Sequence, residues 1–465
     1  MEAATIDARA RERHDRLERR KRLAGLVLGP LAFAAILALP LPGLPPAAHT
    51  LLAVFVWTVV YWITEALPVP ATALLGSVLA ILLGLAPART VLAAYADPII
   101  FLFIGSFMLA EAMKSTGLDR RFAFALLRHR WATRTPARLM LAIGIATCAL
   151  SLWVSNTATT AIMLPVGLGL LRALGVLRDD RQPGRFAVGF LLMLTWASSV
   201  AVGVPVGSPP NLIAIGMIRD LTAHRLTFFD WMAITMPLTV VMLLLCWALL
   251  RWLYPPEPGE AGADLDAYVG QEQRRLGAWT AGQVNVLAVF LLACALWMIP
   301  GAVALVASPQ APLPRFFETH LPESVVALIA AILLFTLPTS LRRGEFTLTW
   351  RQAAAIDWGT ILLFGGGLAL GKLMFDTRLA EAIGTALVGV AGVQGVWTLT
   401  AGAIVAGILL SETSSNTASA SMVVPVVIAI AQGAGVSPVP PALGAALGAS
   451  FGFMLPVSTP PNAIV

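Results

Sequence analysis

The sequence predicts an all-α, polytopic membrane protein built as two inverted repeats, each with a re-entrant helical hairpin and a proline-broken helix. Three observations lead there. Apolar runs of bilayer length recur along the whole chain, which is 58% hydrophobic and only 12% charged, whereas soluble proteins carry about a quarter charged residues. Three polar motifs occur twice, in the same order. Both Ser-Asn-Thr copies interrupt an apolar region instead of sitting in a solvated loop.

Taken in order, the head 1–22 holds eight basic residues, most of them in RERHDRLERRKR, ahead of an apolar run that starts at Leu23. No small-residue cleavage site follows that run, so it reads as a cytoplasmic head and a first span. Spans are expected near 23–43, 49–67, 69–87 and 98–116, then at 186–204 and 227–253. After a polar linker they are expected at 280–300, 324–341 and 358–375. Regions 137–174 and 397–433 differ: each has two apolar limbs joined only by a Ser/Asn/Thr cluster. A limb of about 18 residues is ~27 Å long if fully helical. The turn between limbs lacks charge and glycine, so it is expected to stop within the membrane as a re-entrant tip, covered by protein or lining a cavity.

Basic residues orient the chain. Eight fall in the head, six over 119–138, four over 172–185 and three each over 251–277 and 342–351. With those segments inside, only Arg89, Arg219, Arg225, Arg315 and Arg378 fall outside. The N-terminus is therefore expected in the cytoplasm, with the protein in the plasma (inner) membrane and the lipid bilayer as its solvent.

The linker PEPGEAGADLDAYVGQEQRRLG, 256–277, divides the chain into halves that match. FLFIGSFMLAEAMKSTGL from Phe101 parallels LLFGGGLALGKLMFDTRL from Leu362; SNTATTAIMLPV from Ser155 parallels SNTASASMVVPV from Ser415; PVGSPPNLIA from Pro205 parallels PVSTPPNAIV from Pro456. Three ordered matches indicate an internal repeat. Five crossings are expected between the two Ser-Asn-Thr clusters, and an odd number inverts the second half. Inverted repeats with polar breaks near the midplane are marks of secondary transporters.

The residue types at the breaks suit ions. Ser155, Asn156 and Thr157, and likewise Ser415, Asn416 and Thr417, stand where a second limb begins. Ser, Thr and Asn cap helices, and helix N-termini present free N–H groups to anions. Two such tips entering from opposite faces would clamp a molecule with an anionic group at each end. The GSPPN and STPPN breaks free backbone carbonyls, which with Ser and Asn oxygens suit an alkali cation. No Lys or Arg lies between Arg138 and Arg172, between Arg185 and Arg219, or after Arg378. A dianion buried without a cationic partner would be costly. Bound sodium would supply the positive charge and couple anion uptake to the sodium gradient.

At these residues the sequence resembles the divalent anion:sodium symporter family, which includes bacterial dicarboxylate transporters and animal citrate and sulfate carriers. The two Ser-Asn-Thr motifs and the stretch Ala449, Ser450, Phe453, Pro456, Val457, Ser458, Asn462, Ile464 and Val465 are its most specific parts; WITEALPVPATALL from Trp62 and IDWGTILLFGGGLALG from Ile356 are also similar. The resemblance implies an elevator transporter, usually a homodimer. It implies sodium sites at Ser151, Ser155, Asn156 and Gly207, and at Ser411, Ser414, Asn416 and Ser458. Substrate carboxylates would meet Ser155, Asn156, Thr157 and Ser208 from one half and Ser415, Asn416, Thr417, Thr459 and Pro460 from the other. Scaffold helices are expected over 23–136 and 280–396, and transport-domain elements over 137–253 and 397–465, with 254–279 as cytoplasmic linker. Family members continue through a further span, so 397–465 is expected to lack the last one.

The function expected is sodium-coupled symport of C4-dicarboxylates such as succinate, malate or fumarate. A sodium-independent dicarboxylate exchanger, a sulfate carrier, and a sodium/proton antiporter or channel are the alternatives. An antiporter would use paired intramembrane carboxylates, and only Glu412 stands near a tip; Glu412 could equally be a structural partner for backbone. Glu65 and Asp357 sit near span ends and read as solvated or capping residues. Gly365 to Gly367 suit close helix packing. Arg120, Arg121, Arg128 and Arg130 are expected on an interfacial helix with a solvated or lipid-facing side. Cys148, Cys246 and Cys294 lie far apart in apolar runs and read as packing residues. The five histidines are scattered in head and loops, so neither a metal nor a nucleophile–base set is visible and an enzyme is not expected. The net charge of +6 belongs to head and loops and is no nucleic-acid footprint.

Overall fold

The structure, a computed structural model, describes residues 2–177, 184–256, 265–308, 311–391, 395–456 and 458–465. Part of the linker, 257–264, and Val457 of the C-terminal stretch lie outside the described residues. The architecture is helical; the two short strands, Pro338–Ser340 and Glu345–Phe346, pair antiparallel. Among the described residues, eight helices are long and apolar enough to cross a membrane.

Several spans start and stop where local chemistry dictates. Phe228–Leu253 begins with a capping box in which Thr227 and Asp230 satisfy each other's backbone N–H groups. Thr280 and Gln283 do the same for Ala281–Ala304. Pro46–Thr64 opens on a proline, which needs no N–H there, and ends on Glu65 at φ 50°. Glu65 therefore ends the helix through its left-handed backbone, while its solvated side chain lies 3.7 Å from the Arg22 guanidinium. The run near 69–87 is shorter than expected: Val69–Leu82 stops ahead of Gly84, whose φ is +72°. The run at 324–341 is helical only over Glu323–Thr336, because Pro338 cannot continue it. It follows the amphipathic helix Pro312–His320 across a 61° bend. Helices Leu265–Arg275, inside the linker, and Leu379–Ala391 have no counterpart among the expected spans.

The chain forms two compact units. The first comprises Met1–Asp97, Ile213–Arg225 and Trp358–Ala449. Its packing turns on the Gly365–Gly367 run. A methyl on Gly366 would sit 2.9 Å from the Ala73 carbonyl oxygen, one on Gly365 would strike the Tyr95 ring, and one on Gly367 would meet Ser421. Helix Trp358–Asp376 therefore lies backbone-close to three neighbours, as a triple glycine allows. At its far end Arg219 donates to both Asp97 carboxylate oxygens at 2.7 Å, and Lys372 lies 3.0 Å from Asp220. Arg219, counted above with the outer charges, is thus neutralised within its own unit.

The second unit comprises Pro98–Leu212, Leu226–Asp357 and Ser450–Val465. Helices Pro136–Ser151, Asn156–Ala173 and Arg185–Ser199 build a core around Leu139, Ile143, Leu170, Phe186, Phe190 and Met193, all fully buried. Cys148 and Cys246 are free thiols in that core. Helix Pro98–Thr116 packs on Glu323–Thr336 at Gly105, where a Cβ would fall 2.5 Å from Ala327 backbone. The four arginines expected on one helix are divided: Arg120 and Arg121 lie on Leu118–Leu127, Arg128 follows its end, and Arg130 opens the next helix, Arg130–Thr133. Arg121, moreover, is not a free surface charge. Its guanidinium donates to the carbonyls of Leu276, Gly277 and Ala278 and lies 4.8 Å above the Trp279 ring.

Candidate functional site

Each Ser-Asn-Thr cluster forms a helical hairpin tip of the same local design. In the first hairpin, limb Pro136–Ser151 gives way to a four-residue turn, 152–155, and Asn156 opens the second limb, Asn156–Ala173. Ser155 caps that limb, its Oγ accepting the Ala158 N–H at 3.3 Å. In the second, limbs Val396–Thr413 and Asn416–Gly433 are separated by Ser414 and Ser415, and Ser415 Oγ accepts the Ala418 N–H at 3.2 Å. The N–H groups of residues 156, 157, 416 and 417 belong to first helical turns, which offer donors with no intrahelical partner.

Beneath each tip lies an oxygen cluster. The buried Ser151 hydroxyl is 2.8 Å from Asn156 Oδ1 and 3.0 Å from the Ser198 carbonyl. The buried Ser411 hydroxyl is 2.7 Å from Asn416 Oδ1 and 2.6 Å from the Ala449 carbonyl. Three oxygens converge in each case, and the hydroxyl brings one proton for two acceptors. The serine proton serves one acceptor at a time, which leaves the other oxygen open to a second donor or to a small cation.

The broken helices supply the rest. Between Arg185–Ser199 and Pro209–Leu221 the chain is irregular except for a single turn at Pro205–Gly207. Asn211 holds this break together, donating from Nδ2 to the carbonyls of Val202 (3.2 Å) and Val204 (3.0 Å). Asn462 repeats the arrangement on Gly452 and Leu455, both at 3.0 Å. Gly207 lies so close that a Cβ would be 2.7 Å from the Ala201 carbonyl oxygen and 3.0 Å from that of Leu152. The tip carbonyl, the break carbonyl and Gly207 therefore converge. In the hairpin and break segments of the second unit four hydroxyl or amide oxygens are buried with no hydrogen-bond partner: Thr159, Ser199, Asn211 and Thr459. Ser419, at the position in the second limb that Thr159 holds in the first, is unpartnered too.

The second unit brings together Ser151, Ser155, Asn156, Thr157, Gly207 and Ser208 with Ser458, Thr459 and Pro460 from the other half of the sequence. Ser208 Oγ is 3.2 Å from Ser450 Oγ, Thr195 donates to Asn462 Oδ1, and helix Pro460–Ile464 packs on Asn156–Ala173. The first unit holds Ser411, Ser414, Ser415, Asn416 and Thr417, with Glu412 buried beside them. Motif reading missed Asn211 and Asn462 as the ties across the breaks, although the doubled Pro-Pro-Asn marked them. It also missed Lys21, whose ammonium reaches to 3.4 Å from the Thr413 carbonyl at the second tip. No spacing rule links positions nearly 400 residues apart.

Paired hairpins with capped, oxygen-lined tips, set among bilayer-length helices, define a multi-pass membrane transporter. The family model for the sodium:sulfate symporter transmembrane region matches residues 20–465, and the chain belongs to that divalent anion:sodium symporter family. It is 33% identical over 454 residues to the sodium-dependent dicarboxylate transporter SdcS of Staphylococcus saprophyticus, covering 95% of this chain and 85% of that protein. The SdcS of Staphylococcus aureus is 31% identical over 451 residues, covering 95% and 84%. Among solved structures, the YdaH transporter of Alcanivorax borkumensis superposes with a TM-score of 0.51 at 15% identity, over 77% of this chain and 74% of that one. That likeness concerns the fold alone.

Proposed function

We propose that this protein is a sodium-coupled symporter of C4-dicarboxylates such as succinate, malate and fumarate, working by an elevator motion as a homodimer in the plasma membrane with its N-terminus inside. The supporting observation is the duplicated oxygen cluster, Ser151–Asn156–Ser198 and Ser411–Asn416–Ala449. Each cluster leaves one oxygen open and has a capped helix start directly above it. Sodium ions, as cargo, would be held by Ser151, Ser155, Asn156 and Gly207 in the second unit and by Ser411, Ser414 and Asn416 in the first; Ser458, expected with the latter set, lies in the second unit. The carboxylates would be read by Ser155, Asn156, Thr157 and Ser208 with Thr459 and Pro460 in the second unit, and by Ser415, Asn416 and Thr417 in the first. Cation and anion then stabilise each other at tips whose own sequence supplies no Lys or Arg, which makes anion binding depend on sodium. The names of the staphylococcal relatives agree with both ligands.

The matching local geometry of the two tips supports an internal repeat; on the inverted-repeat reading, scaffold helices would run over 23–136 and 280–396 and mobile elements over 137–253 and 397–465. Uptake of labelled succinate into proteoliposomes tests the proposal. Uptake should require external sodium and fall at least tenfold in Asn156→Ala and in Asn416→Ala. Uptake that persists without sodium, and in both variants, would reject it.

A further inference from the structure

We propose that a cavity of about 380 Å³ in the second unit binds one acyl chain of an anionic phospholipid. Its wall is apolar and comes from four helices and the first tip: Met113, Phe122, Leu126, Leu150, Trp153 and Phe290. Leu126 is 42% exposed, so the mouth opens on the outer surface of the unit. In a multi-pass membrane protein an exposed apolar mouth suits a hydrocarbon chain. An apolar cavity of this kind excludes water, and it has no polar partners for a carboxylate or sodium ion, which removes the transported species as occupants.

The mouth also has the right chemistry for a headgroup. Leu118–Leu127 is an amphipathic helix, and Arg120 and Arg128 at its two ends are exposed. Arg134 and Trp131, just beyond, are exposed as well. An exposed tryptophan among arginines is the composition of a membrane–water interface, and basic clusters there recruit anionic lipid. Asp119, the one acid of this helix, is buried and accepts the Arg120 N–H, so it does not oppose a phosphate at the surface. A lipid whose phosphate lies against Arg120 and Arg128 can therefore lay one chain past Leu126 to Trp153. Trp153 packs edge-on against Phe290, ring centroids 4.8 Å apart, two residues before the cap Ser155. The bound chain thus braces the turn that carries the first tip.

The full-length protein would be reconstituted with phosphatidylglycerol or phosphatidylcholine carrying a photoreactive group in one acyl chain, and the adducts mapped by mass spectrometry. Phosphatidylglycerol should label the peptides holding Phe122, Leu126 and Leu150 at least fivefold more than phosphatidylcholine does. Leu126→Trp, which fills the mouth from an exposed position, should remove most of that labelling while the protein unfolds at an unchanged temperature in detergent. Arg128→Gln should bring the two lipids level without blocking the cavity. Equal labelling of the wild type by both lipids, or labelling untouched by Leu126→Trp, overturns the proposal.

Discussion

Replacing Ser411 by alanine separates a structural hydroxyl from one that also serves a cation. The hydroxyl is fully buried and stands 2.7 Å from Asn416 Oδ1 and 2.6 Å from the Ala449 carbonyl. Its loss leaves both acceptors without that donor, at a cost of about 1–3 kcal/mol when no ion is present. If sodium binds there, the same change removes one oxygen ligand. A tenfold loss of sodium affinity is about 1.4 kcal/mol. Sodium at a hundred times its dissociation constant stabilises the native state by about 2.7 kcal/mol, and after a tenfold loss by about 1.4 kcal/mol. The assay is thermal unfolding of purified protein, wild type and Ser411→Ala, in sodium chloride and in choline chloride. The variant should unfold at lower temperature in choline and also gain only about half as much from sodium. Ser151→Ala should behave alike, because its hydroxyl has the same two kinds of partner. An undiminished sodium gain in both variants would show that these hydroxyls only tie the tips to the broken helices, and the cation reading would fail.

Two further outcomes follow from the geometry. Gly207→Ala forces a methyl within 2.7 Å of the Ala201 carbonyl oxygen and 3.0 Å of that of Leu152. Backbone cannot swing aside as a side chain does, so the change should cost about 1–3 kcal/mol and abolish sodium-driven succinate uptake; normal uptake would show that the close approach is dispensable. Asp119 outside the spans gives a pH signature: burial pushes its carboxyl from 3.8 up to about 6. The native state then holds this proton more tightly than the unfolded chain does, so the stabilisation is complete below 3.8 and is lost as pH rises through about 6. The difference amounts to ~3 kcal/mol. Asp119→Asn should remove that part of the slope in unfolding measured from pH 4 to 7, and an unchanged slope would refute the assignment.

Much of this molecule is determined locally. Bilayer-length apolar runs, the proline and capping-box starts, and the Ser-Asn-Thr caps depend on neighbours within a turn or two, so the chain order alone reveals them. The doubled motifs likewise announced Ser155, Asn156, Ser415 and Asn416 as helix starts inside apolar regions, and the triple glycine announced a close helix contact. Short helices such as Leu379–Ala391 escaped because 13 residues are too few to cross a bilayer, and a reading of bilayer-length apolar runs passes over them. Tertiary structure alone decided what depends on segments far apart in the chain. It set the Ser198 and Ala449 carbonyls against Ser151 and Ser411, and it turned Asn211 and Asn462 into ties across the breaks. It also brought Lys21 to Thr413 and placed Ser458, Thr459 and Pro460 in the unit of the first tip. Backbone carbonyls have no letter in a sequence, and a hydroxyl's meaning as cap, tie or ligand is set by which oxygens the fold carries to within 3 Å of it.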